Sequence, residues 1–424
     1  MEAGTGFGPE GGTAAGTKAI IAAMSSRPAT TSARSVEDHR ERIEQLLRPL
    51  ADRRGERVPV SAALGRLLSD EVRSPLDLPV FRNSGMDGYA VAAASVAVAP
   101  VTLPVDEVVA AGQAGPERLR PGTAVKVMTG APIPPGADCV VPVEDTRAGS
   151  GSVVVERGRN AGDFVREAGT DIRRGELLVA AGTLLTPNRV AALAAVGIET
   201  VAVARRVRAA VLTTGDELVA AGLALRPGQI YNSNGIALAA AAESNGVEVV
   251  DVAHSRDDPD EFRAKLAVAL AAADVVFTSG GVSQGDFEVV KEVLAGSGGE
   301  FGPVAVQPGG PQGLSVVDGV PVLSFPGNPV STMVSFEVFA RPVLRQLSGL
   351  PPMADYEVAL LEPVRSPAGR RQFLRGRRAD GGVRSVSGPG SHLVATMAQA
   401  DVLIDIPAAT TEVAAGSLVR VREL

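Results

Sequence analysis

From residue 205 to 347 the chain alternates apolar runs with loop-and-helix patterns, and this rhythm constrains the fold more than any other feature. The runs at 208–212, 247–252, 274–278 and 320–325 are apolar enough to be buried on both faces, as parallel strands are. Helix starts fall between and after them. Asn234 heads 235–244, Asp258-Pro259 heads 260–273, and Asn328-Pro329 heads 330–347. Such alternation builds a doubly wound α/β sheet with its ligand loops beyond the carboxyl ends of the strands. Those loops read TTGDEL (213–218), HSRDDP (254–259), TSGGVSQGD (278–286) and FPGNPVS (325–331), and all are expected on one rim. A dinucleotide-binding dehydrogenase would fit the alternation, but no G-x-G-x-x-G turn follows the first strand.

The flanking sequence has a different texture. Residues 1–34, rich in Gly, Ala, Ser and Thr, read as a disordered tail. Ser35-Val36-Glu37-Asp38 is a capping-box pattern that opens a helix with an apolar face at Val36, Ile43, Leu46, Leu47 and Leu50. Short β-type runs at 105–109, 124–128, 139–143 and 152–156, broken by Pro and Gly, predict a small β domain over 73–165. Residues 35–72 and 166–205 are expected to form one discontinuous helical/β domain. The α/β domain covers 206–347, and β patterning over 348–424 gives a terminal barrel-like β domain. The net charge of −7, with no basic tract, argues against nucleic acid as a partner. No apolar run is long enough for a membrane span. Cys139, the one cysteine, excludes an internal disulfide and fits a cytoplasmic protein, while three scattered histidines do not make a His-based metal cage.

Chemistry concentrates on the rim. Gly280 and Gly281 let the backbone turn sharply and let a ligand approach the main chain, and free N–H groups beyond such a turn suit an anion. The carboxylates Asp216, Glu217, Asp257, Asp258, Asp286 and Glu288 face Lys291 as a nearby cation. Some have quieter explanations: Asp257 or Asp258 can cap a helix, and Glu288 can pair with Lys291 on a helix face. Carboxylates converging on one rim repel unless a cation, or a phosphate with its metal, neutralises them, so an oxygen-ligand Mg²⁺ site follows. Pro326 and Pro329 stiffen the turn at Gly327-Asn328 and leave first-turn N–H groups toward solvent or an anion. Met86-Asp87-Gly88-Tyr89 reads locally as a tight turn, and Thr129-Gly130 ends a strand.

These residues also resemble a family. MDGYAV (86–91), MTGAPIPPGAD (128–138), TTGDEL (213–218), RDDP (256–259), SGGVSQGDFEVVK (279–291) and PGNPVS (326–331) occur in the order seen in molybdopterin molybdotransferases of the MoeA type, related to the gephyrin E domain. GRRQFLRG (369–376) and GSHLVATMAQADVLIDIP (390–407) extend the likeness to the carboxyl end. The resemblance implies a homodimer that takes adenylylated molybdopterin and molybdate, uses Mg²⁺, inserts molybdenum at the dithiolene and releases AMP. It implies a pocket shared between subunits, with the preceding adenylyltransferase and molybdoenzyme acceptors as further partners. It assigns catalysis to Asp87, Thr129, Glu217, Asp257, Asp286, Glu288 and Lys291, with Glu217, Asp257 and Glu288 toward the metal. Cofactor binding falls to Asp171, Gly280, Gly281, Ser283, Pro326, Gly327, Asn328 and Pro329, and Arg370 and Ser391 match the region linked to molybdate.

The chain departs from the family at particular places. Glu288 stands where the family commonly has Asp, and Thr170 replaces an acid beside Asp171. AVQPGGPQG (305–313) stands where the family commonly carries KPGKP, so Gln307 and Gly310 occupy lysine positions. Arg370 or Arg371 is the expected compensation. These losses motivate an alternative reading as a low-activity cofactor-binding or carrier paralogue.

Overall fold

The structure, a computed structural model, describes residues 33–53, 55–283 and 288–424. Its contacts divide near Gly55 and Ala204: Glu56–Val203 forms one unit, and the chain on either side of it forms the other.

The larger unit is built on a six-stranded sheet ordered Glu248–Ser255, Arg208–Thr214, Val275–Ser279, Val320–Phe325, Pro311–Val317 and Glu300–Pro303. The first four are parallel, so their following loops open at one edge. Two further strands, not expected from the sequence, extend the sheet by antiparallel pairing, Pro311–Val317 on Val320–Phe325 and Glu300–Pro303 on Pro311–Val317. Asp318 and Gly319 both take positive φ between Val317 and Val320, the two-residue turn that joins a twisted hairpin.

Alternate residues of each strand serve opposite faces. Ala209, Val211, Val275, Phe277, Leu323 and Phe325 belong to one core, with Leu238 and Val330 from flanking helices. Ala210, Leu212, Val276 and Val322 belong to a second, with Phe262, Leu266 and Ala269 from helix Pro259–Ala272 and Val289, Val290 and Leu294 from helix Val289–Ala295. Both faces are covered, which is why the strands read as continuous apolar runs.

The early helix, Val36–Leu47, is capped by Ser35, whose Oγ accepts from Asp38 N at 3.0 Å. Its buried Val36, Ile43, Leu46 and Leu47 join the first of these cores beside Val207 and Phe339. The grouping of 35–72 with 166–205 therefore changes: the helix goes with the α/β body, because that is where its apolar stripe finds a partner. Arg34, assigned to the tail, pairs as a β-bridge with Val304 and ion-pairs with Glu300. Helix Pro329–Ser335 continues through a wide turn, Phe336–Ala340, into Arg341–Leu347.

The carboxyl-terminal strands form a second sheet, ordered Val306–Gln307, Arg371–Ala379, Val402–Ile406, Leu418–Glu423 and Asp355–Ala359, with Gly382–Ser385 paired to Arg371–Ala379. A bridge from Leu360 to Val383 curls it over a core of Leu374, Ile404, Ile406 and Val421.

In the smaller unit, six strands run Cys139–Pro142, Gly88–Val91, Ala124–Val127, Val101–Val109, Ser152–Val155 and Thr146–Ala148. Within the same unit, Val60, Ala63 and Leu68 pack with Val179, Leu185, Leu193 and Val203. No helix among the described residues is long and apolar enough to cross a membrane.

Candidate functional site

At the carboxyl edge of the parallel strands the acidic loops interlock. Asp216 Oδ1 accepts the backbone N–H of Asp257 at 3.1 Å, joining the loops that follow Arg208–Thr214 and Glu248–Ser255. The Glu217 carboxylate folds back over Gly215, so that a Cβ on Gly215 would lie 2.6 Å from it. Asp258, not Asp257, caps the next helix, accepting from Asp260 N and Glu261 N. Asp257 is thereby left to the rim. Asp257 is exposed, yet partial desolvation by its neighbours raises its carboxyl above the ordinary carboxylate range, and the charges of Asp216, Glu217 and Glu288 raise it further. Glu288 also accepts from Ser283 N at 2.7 Å and from the Ser283 hydroxyl, which braces its own loop. Lys291 is exposed and donates its backbone N–H to Gly281 O. Asp286 lies outside the described residues.

The donor set is all oxygen and strongly anionic, which fits Mg²⁺. Among the described residues no group of three or more His, Cys, Asp or Glu side chains is placed to hold a metal ion.

Two loops of this rim are locked to one another from below. Asn234 donates its amide to Ser279 Oγ at 2.9 Å and to Gly327 O at 2.7 Å. Thr332 Oγ1 donates to Pro326 O at 2.6 Å and lies 3.1 Å from Ser279 Oγ. All three side chains are buried. Gly280 and Gly327 meet backbone to backbone: a Cβ on Gly327 would sit 3.3 Å from Gly280 Cα. Sequence reasoning missed this network. It read Asn234 as the helix cap, but the cap is Asn232, which accepts from Gly235 N at 3.2 Å. Two asparagines two residues apart give the same pattern, and only burial separates their roles. Asn328 occupies the cap position of the next helix without a side-chain capping bond. One first-turn N–H there is not free as expected, because Val330 N donates to Ser391 O at 3.0 Å.

That bond brings Ser391 to the Pro326–Pro329 turn. Arg370 is exposed and makes no hydrogen bond or ion pair among the described residues. Arg371 is committed: it holds Asp405 through two bonds, at 2.7 and 2.6 Å, and pairs with Glu37. Of the two arginines expected to compensate for the lysine positions, only Arg370 is available. Gln307 stands opposite Gln372 in the second sheet, and Gln372 Nε2 donates to its Oε1 at 2.6 Å.

In the smaller unit, Asp87 and Thr129 are paired. Asp87 Oδ1 accepts from Thr129 N at 2.6 Å and from Thr129 Oγ1 at 2.7 Å, both residues being exposed. These bonds, and then the charge of Lys126, hold the carboxyl below its ordinary value. Within this unit the two residues therefore partner each other. Asp171, also in this unit, is exposed, with its backbone N–H on Leu78 O.

Three family descriptions match the chain in succession: the MoeA N-terminal region (domain I and II) over 34–197, a probable molybdopterin binding domain over 210–346, and the MoeA C-terminal region (domain IV) over 357–424. Molybdopterin molybdenumtransferase 2 of Mycobacterium tuberculosis (strain ATCC 25618 / H37Rv) is 43% identical over 406 residues, covering 92% of this chain and 100% of that relative. The chain belongs to the molybdopterin molybdenumtransferase family. Molybdopterin molybdenumtransferase 1 of the same organism is 37% identical, covering 92% of this chain and 98% of its own length. Among solved structures, the MoeA molybdopterin biosynthesis protein of Pyrococcus horikoshii superposes with a TM-score of 0.78 at 32% identity, over 92% of this chain and 99% of that one. Within this molybdenumtransferase fold, the break between the first two family regions brackets the division between the two units at Ala204.

Proposed function

We propose that this protein inserts molybdate into adenylylated molybdopterin with release of AMP, in molybdenum cofactor biosynthesis. One observation supports this most directly: acids that raise the Asp257 carboxyl share a rim with a glycine turn interlocked with a second turn that meets Ser391. Glu217, Asp257 and Glu288 would hold Mg²⁺, which when bound supplies positive charge against the phosphate oxygens. Around it, this chain's residues bind and orient. Glycine backbone at 280, 281 and 327 gives close approach to the pterin phosphates. Ser391 and Arg370 offer a hydroxyl and a guanidinium to tetrahedral molybdate. Asp87, Thr129 and Asp171, all exposed on the smaller unit, are further candidate site residues in their own right. We place the protein in the cytoplasm as a homodimer, with the upstream adenylyltransferase and molybdoenzyme acceptors as transient partners. Light scattering at micromolar concentration is expected to give about two chains per particle. A monomer with full activity would contradict the dimer.

The deciding assay supplies adenylylated molybdopterin, Mg²⁺ and molybdate and measures AMP. Release that requires molybdate supports the reading. Tight substrate binding without release supports the low-activity carrier instead, which the neutral Gln307 and Gly310 favour.

The same assay tests those two positions. A Cβ on Gly310 would meet only Val304 O at 3.6 Å and Val306 O at 3.8 Å, ordinary contacts. A lysine is therefore accommodated there. A charge-assisted bond is worth roughly 1.5–3 kcal/mol against about 1 for a neutral one. Gly310→Lys is expected to lower the molybdate concentration for half-maximal AMP release by about tenfold. Adding Gln307→Lys contributes less, because that lysine must displace the Gln372 amide now on Gln307. An unchanged or higher requirement in folded variants would show that the loop faces away from the anion.

A further inference from the structure

Arg375 is the largest fully buried side chain among the described residues, at 1% exposure. It lies on strand Arg371–Ala379, and unlike Arg371 it has no carboxylate partner. Burial alone lowers its pKa, with no neighbouring acid raising it. Its bonds all go to one loop. Nε and Nη2 donate to Ser387 Oγ at 3.1 and 2.6 Å, and Nη2 also donates to Gly388 O. Thr396 Oγ1 reaches the same Ser387 Oγ at 3.1 Å and Leu393 O at 2.8 Å, closing the loop at its root. Between these ties Ser391 offers its carbonyl to Val330 N at 3.0 Å. Its hydroxyl makes no hydrogen bond among the described residues.

A buried guanidinium without a counter-ion is costly, and neutral groups could hold a loop without that cost. A fixed positive charge inside a poorly solvated region does something a neutral tether cannot: it favours an arriving anion with no further reorganisation. We infer that Arg375 is a positioning residue for the oxyanion substrate, fixing the Ser387–Thr396 loop that presents Ser391. This rests on the molybdate reading above. Arg375 acts through the loop, whereas Arg370 and Ser391 are the groups that meet the anion.

The test uses the full chain and the variants Arg375→Gln and Arg375→Lys. Three quantities are measured: the molybdate concentration for half-maximal AMP release, molybdate binding by equilibrium dialysis, and the dissociation constant of adenylylated molybdopterin. Arg375→Gln is expected to weaken molybdate by about tenfold or more in both molybdate measurements. Adenylylated molybdopterin affinity and the rate at saturating molybdate stay within about twofold. Arg375→Lys, which keeps the charge and loses the fork, recovers part of the loss. Unchanged molybdate dependence overturns the inference. Parallel loss of both ligands also overturns it, since that marks general loosening. Should Arg375→Gln fail to fold, Ser387→Ala removes the shared acceptor and must produce the same selective loss. If the unsubstituted protein binds molybdate but never releases AMP, the catalytic reading fails while dialysis still decides the role of Arg375. Absence of molybdate binding overturns both.

Discussion

Asp257→Asn is expected to cut AMP release by about a hundredfold or more, as loss of one preorganised charge at a reacting site does. The folded apoprotein should be no less stable for it. In the folded chain the Asp257 carboxyl titrates above its ordinary value, chiefly through partial desolvation and then through Asp216, Glu217 and Glu288. A carboxyl shifted upward holds its proton in the folded state over a window where the unfolded chain has released it. Stability therefore falls as pH rises through the window just above the ordinary carboxylate value, and the deficit persists at neutral pH. Asparagine removes the deficit and keeps the backbone bond to Asp216. The melting temperature of the variant minus that of the parent should be zero or positive near pH 7 and should shrink on acidification. Mg²⁺ should raise the parent's melting temperature more than the variant's. Retained turnover, or a variant clearly less stable at pH 7, would remove Asp257 from the cation site.

Gly280→Ala should be strongly damaging to the α/β body. At φ +101° the added Cβ would sit 2.6 Å from Thr214 Oγ1 and 2.7 Å from the Thr214 carbonyl oxygen. The carbonyl belongs to a central strand, and the threonine is β-branched and stiff, so neither yields cheaply. Overpacking and backbone strain together cost roughly 2–4 kcal/mol, readable as a lower urea midpoint. Relief by displacement would push Gly280 against Gly327, disturbing the Pro326–Pro329 turn, so turnover should fall even in the folded fraction. Gly310→Ala is the control, since its Cβ would make only ordinary contacts at 3.6 and 3.8 Å and carry no such cost. Equal stability of the two variants would contradict the observed close approach.

Much of this was written into the sequence, for reasons specific to particular residues. The three inner parallel strands were legible because burial on both faces leaves runs such as Val275-Val276-Phe277 with no polar alternation, whereas the edge strand Glu248–Ser255, expected to be buried on both faces, is only partly buried and exposes Val252. The acidic rim was legible because Asp216, Glu217 and Asp257 directly follow two such strands. The hairpin at Asp318-Gly319 carried its own strong local signal and went unread, since the flanking strand at 311–317 begins with proline and glycine-bearing residues. The early helix shows the limit of periodicity: a stripe at Val36, Ile43 and Leu47 says that a face is covered, but not which body covers it. Arg370 and Arg371 are adjacent and chemically equal, and only the register that places Asp405 opposite the strand commits one of them. The Asn234–Ser279–Thr332 network joins residues far apart in the chain, so no local pattern could reveal it.

The placement of the helix Val36–Leu47 in the α/β core also sets a timetable for the nascent chain. The core it joins begins at Val207 and runs through Leu344 to Phe373 and Leu403, so at least about 300 residues must be added before that core is filled, roughly 15–60 s or more at typical elongation rates. The smaller unit, Glu56–Val203, is emitted during that wait and has its own cores, so it can finish folding first. This early helix is thus among the last to be buried, and in the interval its leucines are a natural grip for a ribosome-associated chaperone.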